Sequence, residues 1–315
     1  MIGVAFRRLA AAVPTLLVLV TAAFFLMRAA PGGPFDDERV MPEEIRAQIE
    51  AAYHLDEPLW RQYLIYMGNL AQGDLGPSFR YEGRTVNELI GEGLPVSLTI
   101  GGLALALALT LGILAGTTAA LRRGRATDHI VMGLSMTGIS IPNFVIAPLL
   151  ILGFAVYLGW LPAGGWEGAS WRHLVLPVIA LGLPQVAYVA RLLRGSLIEV
   201  LSSDYIRTAR AKGLPGRTIV LRHALRPALL PVLSYLGPAA AALITGSVVM
   251  EQIFGIPGLG RHFVQGALNR DYTLVLGLVL FYGALIIAFN FVVDVLYGVL
   301  DPRVCLLYTS PSPRD

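Results

Sequence analysis

The chain has 315 residues, of which 55% are hydrophobic and 14% are charged, and its formal net charge at pH 7 is +3. A water-soluble domain carries about a quarter charged residues, so the composition excludes an ordinary soluble protein. The small positive charge indicates no nucleic-acid partner, because the basic residues fall mainly in loops between apolar segments. The single cysteine, Cys305, excludes an intrachain disulfide and a multi-cysteine metal site.

Six apolar segments contain no Asp, Glu, Lys or Arg and are long enough to cross a membrane. A helix of about 20 such residues spans the hydrocarbon core and satisfies its own backbone polar groups there. The stretch Trp160–Trp166 interrupts the third segment and predicts one helix followed by an exit loop. We therefore expect an all-α integral membrane protein with six transmembrane helices. The segments are Leu9–Met27, Val96–Leu121, Ile130–Trp166, Leu174–Ala190, Pro227–Met250 and Tyr272–Val293.

The basic residues of the short loops predict the orientation of these helices. The loops on one side contain 13 Lys and Arg residues, and those on the other side contain three. Cytoplasmic loops are enriched in basic residues, so both termini are expected in the cytoplasm. The first segment is longer than the apolar part of a cleaved signal peptide and is expected to remain as a helix.

The segment between the first two spans is acidic and is expected to be periplasmic. Proline and acidic residues near a helix start predict one helix that begins at Pro42 and a second that begins at Pro58. An apolar stripe on the second helix is expected to pack against the membrane domain or the other helix, and a soluble partner is the alternative. The stripe is formed by Leu59, Tyr63, Met67 and Leu70.

The cytoplasmic loop between the fourth and fifth spans contains a short helix with recognisable ends. Ser202 or Ser203 is expected to cap a helix over Asp204–Lys212 through its hydroxyl group. Gly213 then fits the left-handed position that follows a helix, and Pro215 prevents the helix from continuing.

A second basic helix is predicted over Arg217–Arg226, so that the two helices form a rigid protrusion. The alternative is an ordinary basic loop whose charges serve only to orient the protein in the membrane.

The sequence lacks several motifs for nucleotide binding and catalysis, and their absence limits the functions that the chain could have. The only lysine, Lys212, belongs to no phosphate-binding loop, so the chain has no such device for ATP. His-Glu-x-x-His and Gly-x-Ser-x-Gly motifs are also absent, and we predict no catalytic, cofactor-binding or metal-binding residue. Asp294 is the only acidic residue expected within a span, whereas an ion-coupled carrier needs ionisable groups along its path. The energy for transport is therefore expected to come from another chain.

The segment Asp204–Pro215, followed by His223–Pro231, resembles the cytoplasmic coupling motif of binding-protein-dependent ABC importer permeases. Gly213 matches the glycine of that motif and Ala209 its alanine, and both are expected on one docking face. Arg207 stands where the general motif has glutamate, a form familiar from the peptide and nickel branch. The resemblance implies that the residues for ATPase coupling are Asp204, Tyr205, Arg207, Ala209, Ala211, Gly213, Leu214 and Pro215.

The resemblance covers residues 1 to about 304 and is strongest for the B-type permease of oligopeptide importers. It implies the type I importer permease fold in a bacterial inner membrane, with no catalytic residue of its own. The implied partners are a homologous second permease, two cytoplasmic ATP-binding subunits, a periplasmic peptide-binding protein and the lipid bilayer. A dipeptide, nickel or glutathione permease is the alternative within the family. An ion-coupled carrier or a channel is the alternative from another class.

We expect four parts along the chain. Residues 1–30 contain the first transmembrane helix, and residues 31–95 form the periplasmic helical segment. Residues 96–304 form a five-helix permease core that includes the coupling loop 195–227. Residues 305–315 show no assignable pattern, and both a disordered tail and a segment foreign to the natural gene are open interpretations.

Overall fold

The computed structural model describes residues 2–29, 48, 51, 53–245 and 248–300, the side chains of residues 2–9 and 298–300 excepted. This part of the chain is helical, and its strand-like pairing is limited to one isolated β-bridge between Pro77 and Thr85. The helix predicted to begin at Pro42 and the tail 305–315 lie outside the described residues.

We number the helices of the described residues in chain order. They are α1 (Ile2–Ala29), α2 (Leu59–Ala71), α3 (Val86–Leu121), α4 (Ala126–Ser140), α5 (Asn143–Leu150), α6 (Trp171–Leu201), α7 (Asp204–Ala211), α8 (Gly216–Thr218), α9 (Leu225–Ala228), α10 (Leu230–Thr245), α11 (Val248–Phe254), α12 (Leu259–Leu268) and α13 (Tyr272–Leu300). Two π-helical stretches join them: Ile151–Tyr157 follows α5, and Ile219–Ala224 lies between α8 and α9. A short 3₁₀ turn covers Glu167–Ala169.

Five apolar helical stretches in the described residues are long enough to cross a membrane, and they coincide with five of the six predicted segments. They lie in α1, α3, α6, α10 with α11, and α13. The all-α prediction is therefore confirmed.

The third predicted segment is strongly bent. The pair formed by α4 and the stretch Asn143–Tyr157 is bent by 100°. The bend falls at Ile141 and Pro142, about 20 residues before the predicted interruption. Proline lacks an N–H donor and disfavours helical geometry in the preceding residue, and Ile141 accordingly has extended dihedral angles of −87° and 118°. The segment therefore forms one bent span, or two half-spans that enter and leave on the same side.

The helix α3 begins ten residues before the predicted apolar segment. The Thr85 side chain accepts a hydrogen bond from the N–H of Glu88, and the Glu88 carboxylate accepts one from the N–H of Thr85. This reciprocal capping box satisfies two of the free donors at the helix start. The Thr-x-x-Glu spacing is readable in the sequence, so this boundary was predictable.

The centre of the bundle is a close contact between α3 and α6. A Cβ atom on Gly112 would lie 2.7 Å from the Val189 side chain, and one on Gly116 would lie 2.6 Å from the carbonyl oxygen of Ala190. Small residues allow membrane helices to approach each other closely, and van der Waals contacts then hold the pair together. The two helices therefore form one packed unit.

The helix α2 packs on α1 and α13 through its apolar stripe, as predicted. Tyr63, Met67 and Leu70 join a cluster around Phe24, and the Tyr63 and Phe24 ring centroids are 5.3 Å apart. Leu59 is half exposed and contributes little to this contact.

The helix α12 is held at its start by a buried carboxylate. Glu251 is completely buried, accepts a hydrogen bond of 2.7 Å from the Ser97 hydroxyl, and accepts one of 3.2 Å from the N–H of Arg261 in the first turn of α12. A negative charge at a helix N-terminus is favourable. The apolar stretch of the fifth span extends past Met250 to Phe254, so Glu251 lies near its end. The expectation that Asp294 is the only acidic residue within a span stays a prediction.

A second buried carboxylate follows the other end of α12. Asp271 is completely buried and accepts hydrogen bonds from the Ser78 hydroxyl, the Thr273 hydroxyl and the N–H of Leu274. Its own N–H donates to the carbonyl of Gly266 in α12. We call Glu251 and Asp271, with the donors around them, the α12 clamp.

Candidate coupling site

The helix α7 protrudes between α6 and α8 and is attached by two side chains. Ile206 is completely buried and Ala209 is 8% exposed, and the two residues lie one turn apart on the same face. They share a cluster with Leu193 and Leu197 of α6 and with Ile219. The helix is therefore seated on the end of α6, while most of its other residues are exposed.

The end of α7 is a tight corner at Gly213, as predicted. Gly213 has a φ of +74°, its N–H donates to the Arg210 carbonyl at 2.9 Å, and the N–H of Leu214 donates to the Ala209 carbonyl at 3.3 Å. These two bonds form the Schellman motif, in which a left-handed residue satisfies carbonyls at the end of a helix. No atom lies within 4 Å of a Cβ placed on Gly213, so the backbone conformation alone favours glycine there.

The start of α7 differs from the prediction. Ser203 occupies the cap position, but its hydroxyl donates to the Val200 carbonyl at 2.6 Å, and the Ser202 hydroxyl donates to the Ile198 carbonyl at 2.9 Å. Both hydroxyls therefore satisfy carbonyls at the end of α6, and neither caps α7. Asp204 supplies a negative charge in the first turn instead.

The exposed surface of this region contains most of the predicted coupling residues, and we call α7 together with Gly213, Leu214 and Pro215 the coupling corner. Tyr205 is 49% exposed and Leu214 is 36% exposed, so two large apolar side chains face outward. The exposed predicted residues are Asp204, Tyr205, Arg207, Ala211, Gly213, Leu214 and Pro215. Ala209 does not share this face, because its side chain points into the seat on α6.

An ion pair that the sequence did not reveal fixes α4 to α6 next to the coupling corner. Arg194 donates two hydrogen bonds to Asp128, with Nε–Oδ1 at 2.5 Å and Nη2–Oδ2 at 2.7 Å. The N–H of Gly124 donates to the same carboxylate at 2.9 Å, and Asp128 is 1% exposed. Bidentate charge-assisted bonds are strong and geometrically specific. The sequence indicated only a basic residue in a cytoplasmic loop at Arg194, and its partner lies 66 positions away, so no local pattern signals the pair.

In the described part of the chain, no group of three or more His, Cys, Asp or Glu residues could hold a metal ion. The expectations that the chain binds no cofactor and that the coupling residues contact an ATPase stay predictions.

Comparison with known proteins identifies the family. Residues 108–305 match the binding-protein-dependent transport system inner membrane component. The oligopeptide transport system permease protein OppB of Haemophilus influenzae is 56% identical over 299 residues, which cover 95% of this chain and 98% of that protein. OppB of Escherichia coli K12 is 55% identical over 298 residues, with 95% and 97% covered. The dipeptide transport system permease protein DppB of Bacillus subtilis is 45% identical over 300 residues, with 95% and 97% covered.

Solved structures share the fold at lower identity. A chain of the inward-facing MetNI methionine ABC transporter has a TM-score of 0.53 and 20% identity, with 68% of this chain and 96% of that chain covered. A chain of an amino acid ABC transporter with histidines has a TM-score of 0.50 and 21% identity, with 67% and 93% covered. The likeness shows the type I importer permease fold, and the family expected from the coupling motif is confirmed. The chain belongs to the family of inner membrane components of binding-protein-dependent transport systems.

Proposed function

We propose that this chain is the permease subunit of an ATP-binding-cassette importer that moves oligopeptides across the bacterial inner membrane. The observation that carries the proposal is the 55–56% identity to OppB proteins along nearly the whole chain. Dipeptide transport is the second candidate, since DppB of Bacillus subtilis is 45% identical over a similar length.

The chain supplies the pathway and other subunits supply the energy. The sequence has no phosphate-binding loop, which supports ATP hydrolysis by two partner ATP-binding subunits. A homologous second permease completes the pathway, and a periplasmic peptide-binding protein delivers the peptide. ATP binding and hydrolysis then shift the pair of permeases between outward-facing and inward-facing states. A shift from 1:99 to 99:1 needs about 5.5 kcal/mol, a demand that an external energy source must meet.

The coupling corner has one face exposed for a partner protein and one face packed on the transmembrane helices, so it can transmit motion between them. Its exposed face offers Tyr205 and Leu214 to a groove, and its buried face is seated on Leu193 and Leu197 of α6. Because α6 is packed tightly on α3 through Gly112, a displacement of α7 moves both helices together. A motion of the ATPase pair would in this way reach the centre of the bundle.

Reconstitution of the complete transporter tests the proposal. The chain is co-expressed with its partner subunits, placed in proteoliposomes, and assayed for ATP-dependent uptake of labelled oligopeptides. We expect uptake that unlabelled oligopeptides inhibit more strongly than dipeptides, Ni²⁺ or glutathione do. Stronger inhibition by dipeptides would favour the second candidate, and ATP hydrolysis by the purified chain alone would contradict the division of labour.

A further inference from the structure

A cavity of about 290 Å³ lies where α4 bends into α5. One wall is the bend itself, with Ile139, Pro142 and Asn143, and the facing walls come from α6 and α10. Pro184 of α6 also lines the cavity. The cavity lies at the corner where the chain turns by 100° near Pro142.

The polar groups of this cavity are two carboxamides. Gln185 and Asn143 are half-buried, and the lining includes no charged side chain. The Gln185 Oε1 accepts a hydrogen bond from the Tyr235 hydroxyl, which fixes the orientation of the amide. Among the described residues, neither Gln185 Nε2 nor the Asn143 side chain has a hydrogen-bond partner. A carboxamide both donates and accepts hydrogen bonds, as a peptide unit does.

We propose that this cavity is a substrate subsite that holds part of an extended peptide through its backbone amides, with Gln185 and Asn143 as the contacting side chains. The proposal rests on the proposed oligopeptide transport and names a binding site for it. Pockets that enclose a small ligand measure about 300–1,000 Å³, so a cavity of this size takes only a section of the peptide. The remaining walls, which are apolar and uncharged, accept side chains of different shapes without selecting one charge.

Two further side chains with polar groups follow Gln185 along α6. Tyr188 lies one turn after Gln185, and its ring stacks on that of Tyr235 with the centroids 5.5 Å apart. One turn further, the Arg191 guanidinium lies 5.4 Å from the Tyr188 ring and is exposed. Residues three apart share a helix face, so these three side chains form a row along one face of α6 that starts at the cavity.

Cysteine labelling in the assembled transporter tests this subsite. Gln185→Cys and Asn143→Cys are made in a background in which Cys305 is replaced by serine. The matched control is Ile286→Cys, at an exposed apolar position near the middle of α13, as Gln185 lies near the middle of α6. A membrane-impermeant methanethiosulfonate should react with the two cavity cysteines and not with the control, and transported oligopeptide should slow the reaction. Lack of reaction at position 185, or reaction that peptide does not slow, would overturn the proposal.

A second variant measures the role of the amide in transport. Gln185→Leu keeps a similar volume and removes the hydrogen bonds, so the peptide concentration for half-maximal uptake should rise by up to about tenfold, the change in affinity that one lost hydrogen bond produces. Wild-type uptake by this variant would overturn the assignment of Gln185. Failure of the parent transporter to take up any oligopeptide would instead contradict the proposed function, so the two failures are distinguishable.

Discussion

The coupling corner and the α12 clamp differ in whether their polar groups are exposed or buried. The coupling corner buries only Ile206 and Ala209 and leaves its charges and hydroxyls in solvent. The α12 clamp buries Glu251 and Asp271 completely and surrounds each carboxylate with donors. The clamp connects segments that are far apart in the chain, since Glu251 contacts Ser97 and Asp271 contacts Ser78.

This difference indicates what each region is for. Buried carboxylates with several donors fix a geometry, because the loss of one leaves buried donors unpaired at a cost of about 1–3 kcal/mol each. An exposed helix with a two-residue seat contributes little to stability and is free to present its surface to another protein. Substitutions at the clamp should therefore impair folding, whereas substitutions at the coupling corner should impair coupling.

The largest expected contrast is one of location, because the two regions should lie on opposite sides of the membrane. The loop at Gly165 is attached to the clamp end through a 2.7 Å hydrogen bond from its N–H to the Phe254 carbonyl. The asymmetry of basic residues predicts a cytoplasmic signal for a reporter fused after Gly213 and a periplasmic signal for one fused near Gly165. A periplasmic signal at Gly213 would contradict the coupling role.

The next largest effect is expected at the clamp. Glu251→Ala should destabilise the protein by about 2–4 kcal/mol, because the Ser97 hydroxyl and the N–H of Arg261 lose their acceptor in a buried site. The measurement is the thermal unfolding temperature of the purified protein in detergent. Glu251→Gln keeps one carbonyl acceptor and is the control that should lose less. A Glu251→Ala protein with unchanged unfolding temperature would show that the clamp is dispensable.

At the coupling corner, Gly213→Val should spare folding and abolish most of the transport. The left-handed conformation costs a β-branched residue about 1–2 kcal/mol, and no neighbouring atom would clash with the new side chain. We expect normal membrane levels, poor peptide uptake and weaker co-purification of the ATP-binding subunits. Arg217→Ala, which changes a nearby exposed charge, should have a mild effect. Wild-type uptake by Gly213→Val would favour the interpretation of the loop as a simple basic connector.

The smallest expected effect is a difference between substitutions on the buried face and on the exposed face of α7. Ala209→Leu overfills the seat on α6, at a cost of about 1–3 kcal/mol, and should loosen the helix even when no partner is present. Ala211→Leu adds the same atoms on the exposed face and should act only when the ATP-binding subunits are bound. Trypsin cleavage near Lys212 in the isolated chain measures the first effect. Equal cleavage of both variants would contradict the assignment of the faces.

Local signals in the sequence predicted local structure well. Five spans followed from the absence of charge over long stretches, and the corner at Gly213 followed from a glycine placed just before Pro215. Both features depend on a few neighbouring residues, because a helix satisfies its backbone internally and a glycine alone tolerates a positive φ. The coupling motif predicted the family, and the comparisons confirm that prediction.

Features that depend on distant residues were missed. The Ser203 hydroxyl donates to a carbonyl at the end of α6 and does not accept from an N–H at the start of α7, and only the fold decides between these two roles. The pairing of Asp128 with Arg194 and the burial of Glu251 require helices that are far apart in the chain. The size of the bend at Pro142 could not be predicted, because proline also occurs inside continuous helices, such as Pro184 in α6. Proline alone does not determine whether a helix kinks or ends.

The length of α3 also indicates how far the protein projects from the hydrocarbon core of the membrane. Its 36 residues rise about 54 Å, which exceeds the roughly 30 Å of hydrocarbon that a bilayer offers. A helix with such an excess tilts or projects, and the charges of Glu88 and Glu92 in its first two turns favour projection at that end. The ten residues before Val96 thus form a helical segment that projects about 15 Å from the hydrocarbon core. Under the proposed function, the periplasmic peptide-binding protein would meet this projecting segment before it reached the lipid surface.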